Sequence, residues 1–184
     1  MARSRGRAQA NGVVSGRGFT LFELLVAIAI IGTLGAVLLD RVLRYQEYAE
    51  KTAMEQTAGI LRSALHLQLA EYLVRGKWQD VEKMVLSNPM DWLAEKPENY
   101  LGEYLYPKPG EIPPGNWYFD LENRTLIYLL RSDRHFVADS KGKKWVRYRV
   151  SPVYGDNGKE SGQAADKKEI NGIRLTLVET YQWF

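Results

Sequence analysis

A chain of 184 residues has room for one modest domain with its own core plus an anchor, and leaves too little for a second full domain. Its 45% hydrophobic and 26% charged residues exclude whole-chain disorder and a many-span membrane protein, and the absence of cysteine excludes disulfides and Cys-ligated metal. The formal charge of +3 comes from Arg3, Arg5, Arg7 and Arg17; the rest holds 21 basic against 22 acidic residues, which argues against a nucleic-acid partner.

Residues 1–18 therefore read as a short basic leader. From Phe19 to Leu39 the chain runs FTLFELLVAIAIIGTLGAVLL, 21 residues with one charge, Glu23. As a helix this run is about 32 Å long, which matches a hydrocarbon core of about 30 Å. Arginine is in excess on its N-terminal side, with no lysine or acid there to offset it, so the leader is expected in the cytoplasm and the bulk of the chain outside it. An ordinary signal peptide is disfavoured because the one A-x-A-like site, Ala27-Ile28-Ala29, falls inside the apolar run. A carboxylate at membrane depth costs up to about 2.5 to 3.5 kcal/mol unless paired, so Glu23 needs a partner.

Gly18-Phe19-Thr20-Leu21-Phe22-Glu23, followed by the apolar run, resembles the N-terminal signature of type IV pilins and type II secretion pseudopilins. The resemblance covers about residues 17–45. It implies a prepilin peptidase that cuts between Gly18 and Phe19, and methylation of the new Phe19 amine. It also implies assembly with other pilin or pseudopilin subunits at an inner-membrane platform, with Glu23 meeting the Phe19 amine of a neighbour. Pairing two ions that are each costly alone favours one axial register. Many pilins carry a proline about one turn beyond the membrane run, where this chain has Asp40.

Beyond Leu39 the helical period continues without proline until Pro89, through Val42, Tyr45, Ala49, Ala53, Ile60, Ala64, Leu65 and Leu69. One helix from Phe19 to about Arg75, roughly 85 Å if straight, is expected, its amphipathic part (40–77) laying that stripe on a globular head (78–184). Arg75-Gly76-Lys77 supplies the stop. Short helical turns are expected over 78–86 and from Asn88-Pro89 to about Glu95. The proline-rich stretch 96–115 reads as an irregular loop. Strands are expected at 117–120, 125–130, 145–150 and 173–178, which gives an α+β, pilin-like fold with a small antiparallel sheet.

No hydrolase, zincin, Walker or dinucleotide motif is present, so the expectation is a non-enzymatic subunit with no cofactor or metal. His66 and His135 read as structural or solvated. Asp156, Asn157, Glu160 and Asp166 offer oxygen ligands in a polar loop, but their spacing matches no defined calcium loop. The five tryptophans read as core. The resemblance implies a type II secretion pseudopilus subunit, because the C-terminal cysteine pair frequent in type IV pilins is absent here. A type IV pilus subunit for adhesion, motility or DNA uptake and a non-polymerising, membrane-anchored periplasmic binding domain are the alternatives.

Overall fold

The computed structural model describes residues 18–137, 142–154 and 170–184. The chain divides after Leu43 into two compact units. Helix α1, Leu21–Val74, begins in the first and ends in the second. Its start follows from Thr20, whose hydroxyl accepts the Glu23 amide at 3.2 Å while the Leu24 amide bonds the Thr20 carbonyl. Thr-x-x-Glu at a helix start is the capping-box spacing, and it satisfies a donor that would otherwise lack a partner. The end is equally local. Gly76 adopts φ +66°, its amide returns to Leu73 O, and the Lys77 amide reaches Tyr72 O. This pair of bonds closes the last turn, and only a residue without Cβ takes that φ freely.

In the first unit, residues 18–43 are exposed almost throughout. The second unit lays the rest of α1 on a five-stranded sheet. After a helical turn at Trp78–Asp80 come α2 (Val81–Val85) and a turn at Pro89–Trp92, which is capped by the Asn88 side chain accepting from Met90 N at 3.0 Å. The strands are β1 (Tyr100–Tyr104), β2 (Trp117–Asp120), β3 (Thr125–Leu129), β4 (Phe136–Val137), β5 (Trp145–Tyr154), β6 (Ile170–Leu177) and β7 (Gln182–Trp183). The main sheet has the order β1-β2-β3-β5-β6, and β4 pairs with β7 separately.

Register explains the core. Trp117 pairs with Tyr128 and Phe119 with Leu126; Leu126 in turn pairs with Tyr148, and Val150 with Leu175. Alternation puts these side chains on one face, where they pack with Met54, Ala58, Leu61 and Leu65 of α1 and with Val81, Met84 and Met90. On the other face Tyr118 and Ile127 meet Ile112, so the proline-rich segment covers the middle of the sheet.

Two expectations need correction. The stretch 96–115 is not wholly irregular, since β1 lies within it and pairs parallel to β2, so the sheet is antiparallel except at that edge. The signal was weak because the strand contains Gly102 at φ +106° and a bulge between Tyr100 and Glu103, which break the two-residue period. The second correction concerns phase. Of the expected stripe, Leu65 and half-buried Leu69 do face the sheet, but Tyr45, Ala49, Ala53 and Ile60 are exposed and Met54, Ala58 and Leu61 complete the buried face. The helix carries apolar residues on two sides, and periodicity alone does not say which side meets the sheet.

Leu61 has no exposed surface and faces the centre of this core. Leu61→Ala is expected to cost about 2 to 5 kcal/mol, the range for deleting a buried leucine side chain. Urea unfolding of the detergent-solubilised chain checks this, and an unchanged midpoint would show that the α1–sheet core is wrong.

Candidate functional site

The residues singled out for processing and assembly lie together at the start of α1. Gly18, Phe19 and Glu23 are all exposed, as are nearly all the large apolar side chains from Leu21 to Leu39. An 18-residue window of this helix has a mean hydropathy of 2.5 and none of it is buried. Among the described residues, α1 is the one helix long and apolar enough to cross a membrane. Monomeric soluble proteins rarely leave contiguous apolar patches above a few hundred Å² in water, so this surface calls for lipid or other protein. Glu23 stands at the third helical position, where the helix dipole favours an acid by about 0.3 to 1 kcal/mol. That is well short of the membrane cost of a carboxylate, so the dipole alone does not compensate it.

A second polar cluster, which sequence reasoning missed, ties α1 to the loops of the second unit. Glu47 is 2% exposed and accepts three hydrogen bonds: from His135 N at 2.9 Å, from His135 Nδ1 at 2.7 Å, and from the Trp183 indole at 3.1 Å. Because an ionised carboxylate only accepts, the imidazole hydrogen sits on Nδ1. Burial pushes the Glu47 carboxyl up, but the His135 and Trp183 bonds outweigh it and hold the group below its ordinary value of 4.5.

One turn along, Glu50 accepts from Tyr128 OH at 3.1 Å, Arg131 N at 2.6 Å and Ser132 N at 2.9 Å. Burial and the neighbouring Glu50 charge raise the Tyr128 phenol, which keeps it a neutral donor. Lys51 Nζ donates to Trp183 O at 2.9 Å, and the Phe184 ring stacks on both Tyr48 (centroids 3.9 Å apart) and His135 (5.1 Å). The segment 131–135 and the strand β7 are thus fastened to α1 by charge-assisted bonds, which are the stronger kind. The available clue was Glu47 itself, an acid seven residues before Met54 on the buried side of the helix.

The remaining candidates do not form a site. His135 serves Glu47, and His66 is exposed on α1. Among the described residues no group of three or more His, Asp or Glu side chains is placed to hold a metal. Asp156, Asn157, Glu160 and Asp166 lie outside the described residues, as do residues 1–17 of the leader.

Together these features define a class: an α+β protein whose long helix opens on an uncovered apolar segment and packs farther on against a small, mostly antiparallel sheet. Comparison with known proteins agrees. Residues 15–39 match the prokaryotic N-terminal methylation motif. The chain is 30% identical over 89 residues to the type IV major pilin protein PilE1 of Neisseria gonorrhoeae, an alignment covering 48% of each chain. A second PilE1 of the same organism is also 30% identical over 89 residues, covering 48% of this chain and 44% of that one. The chain therefore spans about half the length of the curated relatives it matches. No solved structure matches it. The chain thus carries the N-terminal methylation motif and is similar to type IV major pilins over about half its length.

Glu47→Ala leaves the buried Trp183 N–H without its acceptor and is expected to cost about 1 to 3 kcal/mol. The pH dependence has a definite sign. A carboxyl with a folded value below 4.5 contributes stability that is complete above 4.5 and is lost as pH falls through the folded value. Below pH 4.5 the native chain should lose urea resistance more steeply than Glu47→Gln; parallel acid limbs would remove Glu47 as the cause.

Proposed function

We propose that the chain is a structural subunit of a type IV pilin-like filament, made as a precursor and anchored in the bacterial inner membrane by α1 until it assembles. The observation that carries this is the exposed apolar run with Glu23 as its one charge, directly after Gly18-Phe19. Prepilin peptidase removes residues 1–18 on the cytoplasmic side, and the new Phe19 amine is methylated. In the assembled state this amine, donated by a neighbouring subunit, pairs with Glu23, supplying the cation that the helix dipole does not replace. The second unit, with its sheet, faces the periplasm or the filament surface.

The filament is read as a type IV pilus, because both relatives reported above are named as type IV major pilins. The absence of cysteine favours the second reading, a type II secretion pseudopilus, since a C-terminal cysteine pair is frequent in type IV pilins. A deletion strain separates the two: the first loses surface filaments visible by electron microscopy, the second retains its exported proteins in the periplasm.

Mass spectrometry of the mature protein is expected to find methyl-Phe19 at the N-terminus. A chain starting at Met1, or downstream of Ala29, would refute the reading. Glu23→Val should be cut normally yet enter filaments at least tenfold less often, and a normal filament yield would remove the pairing.

A further inference from the structure

The face of the sheet turned away from α1 carries a line of cations. Val146, Tyr148 and Val150 of β5 lie in the core with α1, so alternation turns Trp145, Arg147, Arg149 and Ser151 to the other face, where Trp145 packs with Tyr118 and Ile127. On β6 the core residues are Ile173 and Leu175, which leaves Arg174 and Thr176 on that same outer face. Arg149 pairs with Thr176, and Ser151 with Arg174. Two residues of strand span about 6.6 Å and a diagonal cross-strand step about 7 to 8 Å, so Arg147, Arg149 and Arg174 follow one another at nearly equal intervals.

Their partners differ. Arg147 is neutralised, because its Nε donates to Glu179 Oε2 at 2.9 Å and its Nη2 pairs with Oε1. Arg149 donates to the Asn123 carbonyl at 3.3 Å, a neutral group, and among the described residues no carboxylate pairs with Arg149 or Arg174. Both are exposed. The hydroxyls between them are already in use. Thr176 Oγ1 donates to Arg149 O at 3.2 Å, so Ser151 is the donor in its 2.9 Å bond to Thr176. The free donors of this patch are therefore two guanidinium forks, whose planar geometry matches a carboxylate two bonds at a time.

We propose that this patch docks an extended acidic segment of another protein, one with carboxylates at every second residue. In an extended chain such carboxylates share one face about 6.6 Å apart, close to the interval from Arg149 to Arg174. Clusters of arginine recognise acidic motifs in this manner. A second copy of the chain does not fit. Among the described strands the acids are Glu103 and Asp120, one to a strand, and both are engaged: Glu103 accepts from the Asn88 side chain at 2.9 Å, and Asp120 from the Glu122 amide at 2.9 Å and the Asn123 side chain at 2.8 Å. Exposed ion pairs are individually weak and screened by salt, so the contact is reversible and salt-dependent. The inference concerns the second unit alone and does not depend on the filament reading.

The test titrates a fluorescent peptide of four Glu-Ser repeats into the detergent-solubilised full chain and reads fluorescence anisotropy at low salt. Saturable binding is expected, at least tenfold weaker when Arg149→Gln and Arg174→Gln are combined and unchanged for Arg134→Gln, which removes an exposed arginine of the segment 131–135. A peptide of two Glu-Glu-Ser-Ser repeats has the same composition but no two acids two residues apart, and it should bind at least threefold more weakly. The double variant, altered only at exposed positions, should keep the urea midpoint of the unsubstituted chain. No binding, equal affinity for the two peptides, or an effect of Arg134→Gln as large as that of the double variant overturns the proposal. Duplex DNA that binds through Arg149 and Arg174 more tightly than the peptide, at equal charge concentration, overturns it as well, since the occupant is then a nucleic acid.

Discussion

The structure depends on one imbalance: α1 carries more apolar surface than its own chain buries. The sheet takes the face of Met54, Ala58, Leu61 and Leu65, a continuous contact that the register of β2, β3, β5 and β6 makes possible. The side chains of Phe19–Leu39 and the opposite stripe farther along are left in the open. Burial is worth about 25 cal/mol per Å² of apolar surface, so uncovered area on this scale drives association with lipid or protein. The folded chain is stable through one face of the helix and incomplete on the rest.

That arrangement needs α1 held firmly to its sheet, since a helix with two apolar sides has no strong preference for one of them. Burial of Leu61 and Leu65 supplies the energy, and the carboxylates supply the orientation. Glu47 and Glu50 accept six hydrogen bonds between them from residues 128–135 and Trp183. Rotating the helix to bury Ile60 and Leu67 instead would strip those donors and leave the buried Trp183 N–H and the Glu47 carboxylate unpaired, at a cost of about 1 to 3 kcal/mol for each buried group. The polar cluster therefore decides which apolar face stays outward.

Glu23 is the counterpart at the other end of the helix. Its backbone amide is satisfied by Thr20, so the first turn forms without outside help. Its carboxylate is a different matter, because the dipole contribution is a fraction of the membrane cost. In the proposed assembly that deficit makes one neighbour position better than any other, much as Glu47 makes one rotation of the helix better than its opposite.

Much of this was legible in the residues. The apolar run, Glu23 and the Gly18-Phe19 junction are local, contiguous features, and they sufficed to pick out a helix long and apolar enough to cross a membrane and the stretch that matches the methylation motif. The Gly76 stop and the strands around Trp117, Leu126, Val146 and Leu175 were equally local, since turn chemistry and a two-residue period act over a few positions. The tertiary structure decided what depends on distant partners. β1 forms because β2 lends it a parallel edge, despite Gly102 and the flanking prolines. The outward stripe was visible as a pattern, but its direction followed only once Glu47 met His135 and Trp183, 88 and 136 residues away in the chain. Periodicity shows that a helix has faces; only long-range contacts choose which face is buried.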